Sequence, residues 1–142
     1  MSEVTVRRAR GADVDAIADL AVQLGYDVSP AHAGRWLAAG TDGRAAFVAV
    51  AAGEVVGWAQ AHDRELLQYP RVLEVGGLVI ADHAQGGGAG KLLMEALSDW
   101  GSRRGHSEIL VHSSTTREGA HEFYEALGFD RVKTSYTFTK AI

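Results

Sequence analysis

The spacing of apolar positions along the chain changes several times, and each change marks a predicted element. Val4 and Val6 flank Thr5 in strict alternation, which predicts a short first strand. Ala12, Ile17, Leu20, Ala21 and Leu24 then recur at helical spacing. Asp13 and Asp15 lie in the first turn, where the helix dipole favours acids, and Gly25 ends the run. Ser29-Pro30 reads as an N-cap followed by a proline at the first helical position, opening a short helix through Trp36 and Leu37 to Gly40.

Residues 45–51 and 54–62 are apolar, rich in valine and aromatics, and separated by Ala52-Gly53, which predicts a hairpin. Residues 63–71, ending in Tyr69-Pro70 and Arg71, read as an irregular polar connection. A third strand is predicted over 72–80, apolar except for Glu74 and interrupted by Gly76-Gly77, where a bulge or a close backbone approach is expected. Residues 81–90 form a glycine-rich loop that feeds a helix over 89–104, with Leu92, Leu93, Ala96, Leu97 and Trp100 as its apolar face. A strand over 108–112, a helix over 117–127 stopped by Gly128, and a last alternating strand over 131–139 complete the pattern. With no repeat, low-complexity segment or linker, residues 1–142 read as one α/β domain.

Composition narrows the chemistry. The 142 residues contain no cysteine, which excludes disulfides, thiolate metal sites and a cysteine nucleophile, and fits a cytoplasmic protein. Fourteen basic against eighteen acidic residues give a net charge of −4, which argues against a broad nucleic-acid surface. The charged opening segment is unlike a signal peptide, and no apolar run reaches membrane-spanning length, so no membrane partner is expected. The six histidines form no H-x-x-x-H or similar pair, and no metal site is expected.

Seventeen glycines are the one compositional excess, and four of them fall in the loop before the predicted helix. Strand, glycine loop and helix N-terminus in series make an anion cradle, because backbone amides approach a phosphate closely and the helix dipole favours it. A Walker loop would need glycine at Gln85 and serine or threonine at Leu92, and the dinucleotide fingerprint would need glycine at Lys91. Neither fits. The remaining pattern, Gln85-Gly86-Gly87-Gly88-Ala89-Gly90, has the form Q/R-x-x-G-x-G and resembles the acyl-CoA pyrophosphate loop of the GNAT acetyltransferase superfamily. A second segment, Arg117, Ala120-His121, Phe123-Tyr124 and Gly128-Phe129, resembles that family's R-x-x-A-H-x-F-Y-x-x-x-G-F motif. The predicted element order is also the family's, so the resemblance covers essentially the whole chain. Two departures are Gln85, where arginine is commoner, and Asp82-His83, where a proline often precedes the loop.

The resemblance implies a mostly antiparallel mixed sheet, splayed at the fourth strand and flanked by helices, with acetyl-CoA as co-substrate. It implies that backbone groups of Leu78, Val79 and Ile80 receive the pantetheine arm, and that Gln85, Gly86, Gly87, Gly88, Ala89, Gly90 and Lys91 hold the pyrophosphate. An N–H near Val79 or Ile80 would polarise the thioester carbonyl, and Gly76-Gly77 would permit the splay. Tyr124 occupies the place of the family's tyrosine acid; by pattern alone it is equally an aromatic packed beside Phe123. Glu74, the only charge in its strand, reads as a general base, as a substrate-anchoring carboxylate, or as an acid on a solvated face. Arg117 opposes the dipole of the helix it opens, which suits either a ligand phosphate or a solvated arginine. His62, at the end of its strand, is a candidate to face the acceptor, as are Tyr26 and Tyr69. The expected activity is acetyl transfer to a small primary amine. The alternatives are a protein lysine or N-terminal acetyltransferase, and a non-catalytic acyl-CoA-binding module, which would need neither Glu74 nor Tyr124. A homodimer is a common assembly in such a family.

Overall fold

The computed structural model describes residues 3–40 and 42–142. They form two compact units, one ending at Val111 and one running from His112 to Ile142. The first unit holds a five-stranded sheet in the order β1 (Val4–Arg8), β2 (Arg44–Ala51), β3 (Glu54–Leu66), β4 (Tyr69–Ile80) and β5 (Ile109–Val111). Neighbours are antiparallel except β4 and β5, which are parallel.

Helices α1 (Val14–Ala21) and α2 (Pro30–Ala38) cover one face of this sheet and α3 (Ala89–Arg103) the other. Two terminators behave as expected: Ser29 Oγ accepts from the His32 N–H at 3.0 Å, and Gly25 ends the first helical run with φ +84°. Alternation along β3 sorts its side chains, so that Ala59 and Ala61 lie with fully buried Leu93 and Leu97 in the core while Trp58, Gln60 and His62 face α1 and α2. Burying each such leucine contributes about 1.5–3 kcal/mol. Leu92, expected on the apolar face of α3, is instead 37% exposed; Met94 and Trp100 are buried with Leu93 and Leu97. A one-residue step is about 100° on a helix, and the stripe centred on Leu93 and Leu97 leaves Leu92 at its edge.

Three further expectations change. Residues 63–71 are not an irregular connection: β3 continues to Leu66 and β4 starts at Tyr69, with Leu66 opposite Tyr69 and Arg64 opposite Val72. Their charges concealed the strand, and Pro70 is tolerated because it falls within a register shift of the ladder. Asp63 accepts hydrogen bonds from the Arg104 guanidinium and contacts His106 Nε2 at 2.5 Å and Arg71 Nη2 at 3.2 Å. This cluster ties the middle of the sheet to the end of α3 and holds the Asp63 carboxyl far below the ordinary range, chiefly through Arg104. The strand expected over 108–112 is reduced to Ile109–Val111.

In the second unit, α4 (Glu118–Ala126) agrees with the predicted helix. Residues 131–139, expected as a strand, are not one. Alternation supplies only a side-chain pattern, whereas a strand exists through its ladder, and no described strand pairs with this segment.

Candidate active site

The site begins where β5 ends. β5 accompanies β4 only over Leu73, Glu74 and Val75, so from Gly76 to Ile80 no described strand lies along the outer edge of β4. The Ala81 N–H donates to Val56 O on β3, and by antiparallel alternation Val79 turns its peptide groups the same way while Leu78 and Ile80 turn theirs outward. The Ile80 carbonyl already accepts from Gln23 Nε2 at 2.8 Å, and Gln23 Oε1 accepts from the Asp82 N–H at 3.1 Å. Sequence reasoning did not find Gln23, whose partners lie almost sixty residues away. Its amide pins the strand end to the start of the loop.

That loop runs through a short turn at Asp82–Ala84 into α3. Gly86 (φ +85°) and Gly88 (φ +88°) adopt the left-handed conformation, and space above both is open, so neither tolerates a side chain easily but a ligand can approach their backbone. The first helical bond of α3 is Leu92 N–H to Gly88 O, leaving the N–H groups of Ala89, Gly90 and Lys91 without intrahelical acceptors. Gln85 and Lys91 are exposed beside them. Left-handed glycines, first-turn amides and a helix dipole on one exposed loop suit a pyrophosphate.

The second feature lies on the α1/α2 face. The β3–β4 register slips between Gln60 and Ala61, making Gly76 the extra residue of a bulge. A Cβ on Gly76 would lie 1.9 Å from Gln60 Nε2, and one on Gly77 would lie 2.9 Å from Trp58 Cζ3. Both glycines therefore admit side chains of β3 across the strand. Just before the bulge, His62 Nε2 meets Glu74 Oε2 at 2.8 Å across a directly opposed pair, with Glu74 18% and His62 37% exposed. Next along the same row, Arg44 is opposite His62; its guanidinium stacks 4.4 Å from the Trp36 ring and donates to Trp36 O at 2.8 Å.

Beside this row a cavity of roughly 160 Å³ is lined by mostly apolar residues of α1, α2 and β2, with His32 of α2 among them, and by Trp58 and Gln60 of β3. Neither tyrosine proposed for the acceptor lines it: Tyr26 is 61% exposed after the first helical run, and Tyr69 stands at the hairpin end near Arg64. Trp58 and Gln60 were missed, although their alternation with His62 along β3 was the available signal.

In the second unit, Tyr124 is half-buried on α4, edge-on to Phe123 and Phe129 at 5.3 and 5.7 Å. Burial raises its hydroxyl pKa above the ordinary value, partly opposed by the charge of Arg117, the N-cap residue of α4. His121 Nε2 lies 2.8 Å from Ser114 O, so this ring anchors the loop before α4. Among the described residues no group of three or more His, Asp or Glu is placed to hold a metal, and no helix is long and apolar enough to cross a membrane.

The family described as Acetyltransferase (GNAT) family matches residues 14–129, and the chain belongs to it. The N-acetylaspartate synthetase of Danio rerio is 29% identical over 93 residues, covering 66% of this chain and 32% of that protein, so the chain spans about a third of the curated relative it matches. The aminoglycoside N-acetyltransferase AAC(6')-Iy in complex with CoA shares the fold with a TM-score of 0.88 at 21% identity, over 100% of this chain and 97% of its own. AAC(6')-IG from Acinetobacter haemolyticus superposes with a TM-score of 0.83 at 16% identity, over 97% of this chain and 99% of its own.

Proposed function

We propose that the chain transfers the acetyl group of acetyl-CoA directly to a primary amine of a small molecule. The observation that carries this reading is the continuity of the β4 edge beyond Val75, along which no described strand lies, with the glycine loop at the head of α3, which together suit a pantetheine arm and a pyrophosphate. The family match spans both compact units and supports reading them as one catalytic domain.

Acetyl-CoA supplies an activated carbonyl and a thiolate leaving group. The outward peptide groups of Leu78 and Ile80 orient it as an added strand would, and Gln85 to Lys91 hold its phosphates. Glu74 takes the proton the amine must lose as the C–N bond forms, and His62, hydrogen-bonded to it and half open to water, passes the proton on. Tyr124 supplies a proton to the sulfur as the C–S bond breaks. A hydroxyl with a raised pKa stays protonated at neutral pH, which an acid requires. Arg117 assists phosphate binding from the second motif.

Two tests separate these roles. Gly88→Glu places a carboxylate, on a strained backbone, where a pyrophosphate binds; CoA affinity by calorimetry should fall at least 100-fold with the fold retained by circular dichroism. Unchanged affinity would show that the loop does not hold CoA. Tyr124→Phe should lower kcat about 10- to 100-fold with KM for acetyl-CoA nearly constant. An unaltered kcat in thiol-release assays would leave Tyr124 as a packing residue.

A further inference from the structure

We propose that residues 131–139 pair, antiparallel, with the same residues of a second copy of this chain, and that the shared ribbon covers the unit that begins at His112. A single copy leaves that unit poorly covered: none of residues 112–142 is buried. Helix α4 has nine residues, too few to hold in water without packing, yet Phe123, Tyr124 and Leu127 on it are only half-buried. Beyond the helix, Val132, Tyr136 and Phe138 are 78%, 89% and 89% exposed. They share a side. The Tyr136 and Phe138 rings lie 6.4 Å apart, as side chains two residues apart on extended backbone do, and alternation puts Val132 and Thr134 in the same row. An exposed apolar row on a segment with no described strand beside it marks a contact surface.

The order of residues in the segment matches it to itself. Pairing keeps the apolar row on one side only if even positions meet even positions. Antiparallel pairing centred on Ser135 does this over the whole segment: Val132 stands opposite Phe138, Thr134 opposite Tyr136, Lys133 opposite Thr137 and Arg131 opposite Thr139. Aromatic and β-branched residues are a favoured pair across a ladder, and no charge here opposes a like charge. The two copies of Lys133 end up about 14 Å apart along the ribbon, beyond the screening length of about 8 Å at physiological salt. Parallel pairing in register would instead set Arg131 on Arg131 and Lys133 on Lys133. The centred arrangement has two-fold symmetry, so each copy offers the same surface that it receives.

The chain has no cysteine, so a single introduced thiol reports the register. Ser135→Cys faces its own copy in the ribbon, where opposed Cβ atoms lie about 4.5–5.5 Å apart, within a small adjustment of disulfide geometry. Mild oxidation of the full chain carrying it should give mostly covalent dimer on a non-reducing gel. Arg131→Cys and Thr139→Cys, each about 27 Å from its own copy, should stay monomeric alone and cross-link when mixed. By sedimentation equilibrium the unsubstituted chain should double in mass between about 1 and 200 µM, and Phe138→Asp should weaken that association at least tenfold. A chain that stays monomeric at the top of that range overturns the inference. So does a dimer that survives Phe138→Asp, because it uses another face. Equal cross-linking of Arg131→Cys alone and Ser135→Cys also overturns it, since exposed thilols that merely collide show no register.

Discussion

Glu74→Gln is expected to lower kcat/KM for the amine by about two to three orders of magnitude at neutral pH, within the usual span for removing a general base. Glutamine keeps the size of the side chain and a carbonyl oxygen for His62, so packing on β4 changes little and CoA affinity should hold. What disappears is the proton acceptor. An alkylamine is mostly ammonium at pH 7, since amines of the lysine type titrate near 10. The deficit should therefore narrow as the assay pH rises toward that value and water delivers more neutral amine. A carboxylate that merely attracted the ammonium would behave differently: its loss would raise KM, and the deficit would follow salt concentration more than the proton supply. His62→Ala should cost less, about tenfold, because the ring touches Glu74 and not the sulfur chemistry. If Glu74→Gln stays within threefold of wild type between pH 6 and 9, Glu74 has no part in proton transfer.

The largest stability effect is expected at Asp63, 17% exposed, which gathers Arg104, Arg71 and His106 from three parts of the first unit. Asp63→Asn retains the shape but removes the carboxylate on which the Arg104 and Arg71 guanidinium groups converge and which the His106 side chain, 2% exposed, contacts. Breaking a buried pair costs about 3–5 kcal/mol; with both arginines a third open to water, about 2–3 kcal/mol is the expected loss. For a chain of this length that is a fall in Tm of roughly 5–10 °C. The sign of the pH dependence follows from the same cluster. The Asp63 carboxyl titrates lower when folded than when unfolded, so its stabilisation is complete above the ordinary carboxylate range and is lost as pH falls below about 4 toward its folded value. Acid unfolding of wild type should therefore steepen below pH 4, and Asp63→Asn should flatten that limb. Parallel acid curves for the two proteins would show that Asp63 is not the group responsible.

The two predictions draw on information of different kinds. Glu74 was legible because a lone charge breaks an apolar strand. Asp63 was not, because it lies in a run of charged residues with the composition of a loop, and its partners Arg104 and His106 are about forty residues further on. The same contrast separates the glycine loop, read from a local motif, from Gln23, which closes the loop through two long-range hydrogen bonds.

Local order along the chain determined the helices, the hairpin about Ala52-Gly53, the glycine-rich loop before α3 and the bulge at Gly76, because each depends on backbone preference and side-chain period within a few residues. Whether residues 131–139 form a strand was beyond that information, since alternation cannot supply the partner a ladder requires. Only the tertiary structure set Glu74 opposite His62, brought Trp58 and Gln60 to the lining of one cavity, and ended β5 at Val111, so that no described strand accompanies β4 beyond Val75. Register and strand length are fixed by contacts between segments distant in sequence, and in this protein those contacts place the candidate base and shape the cavity beside it.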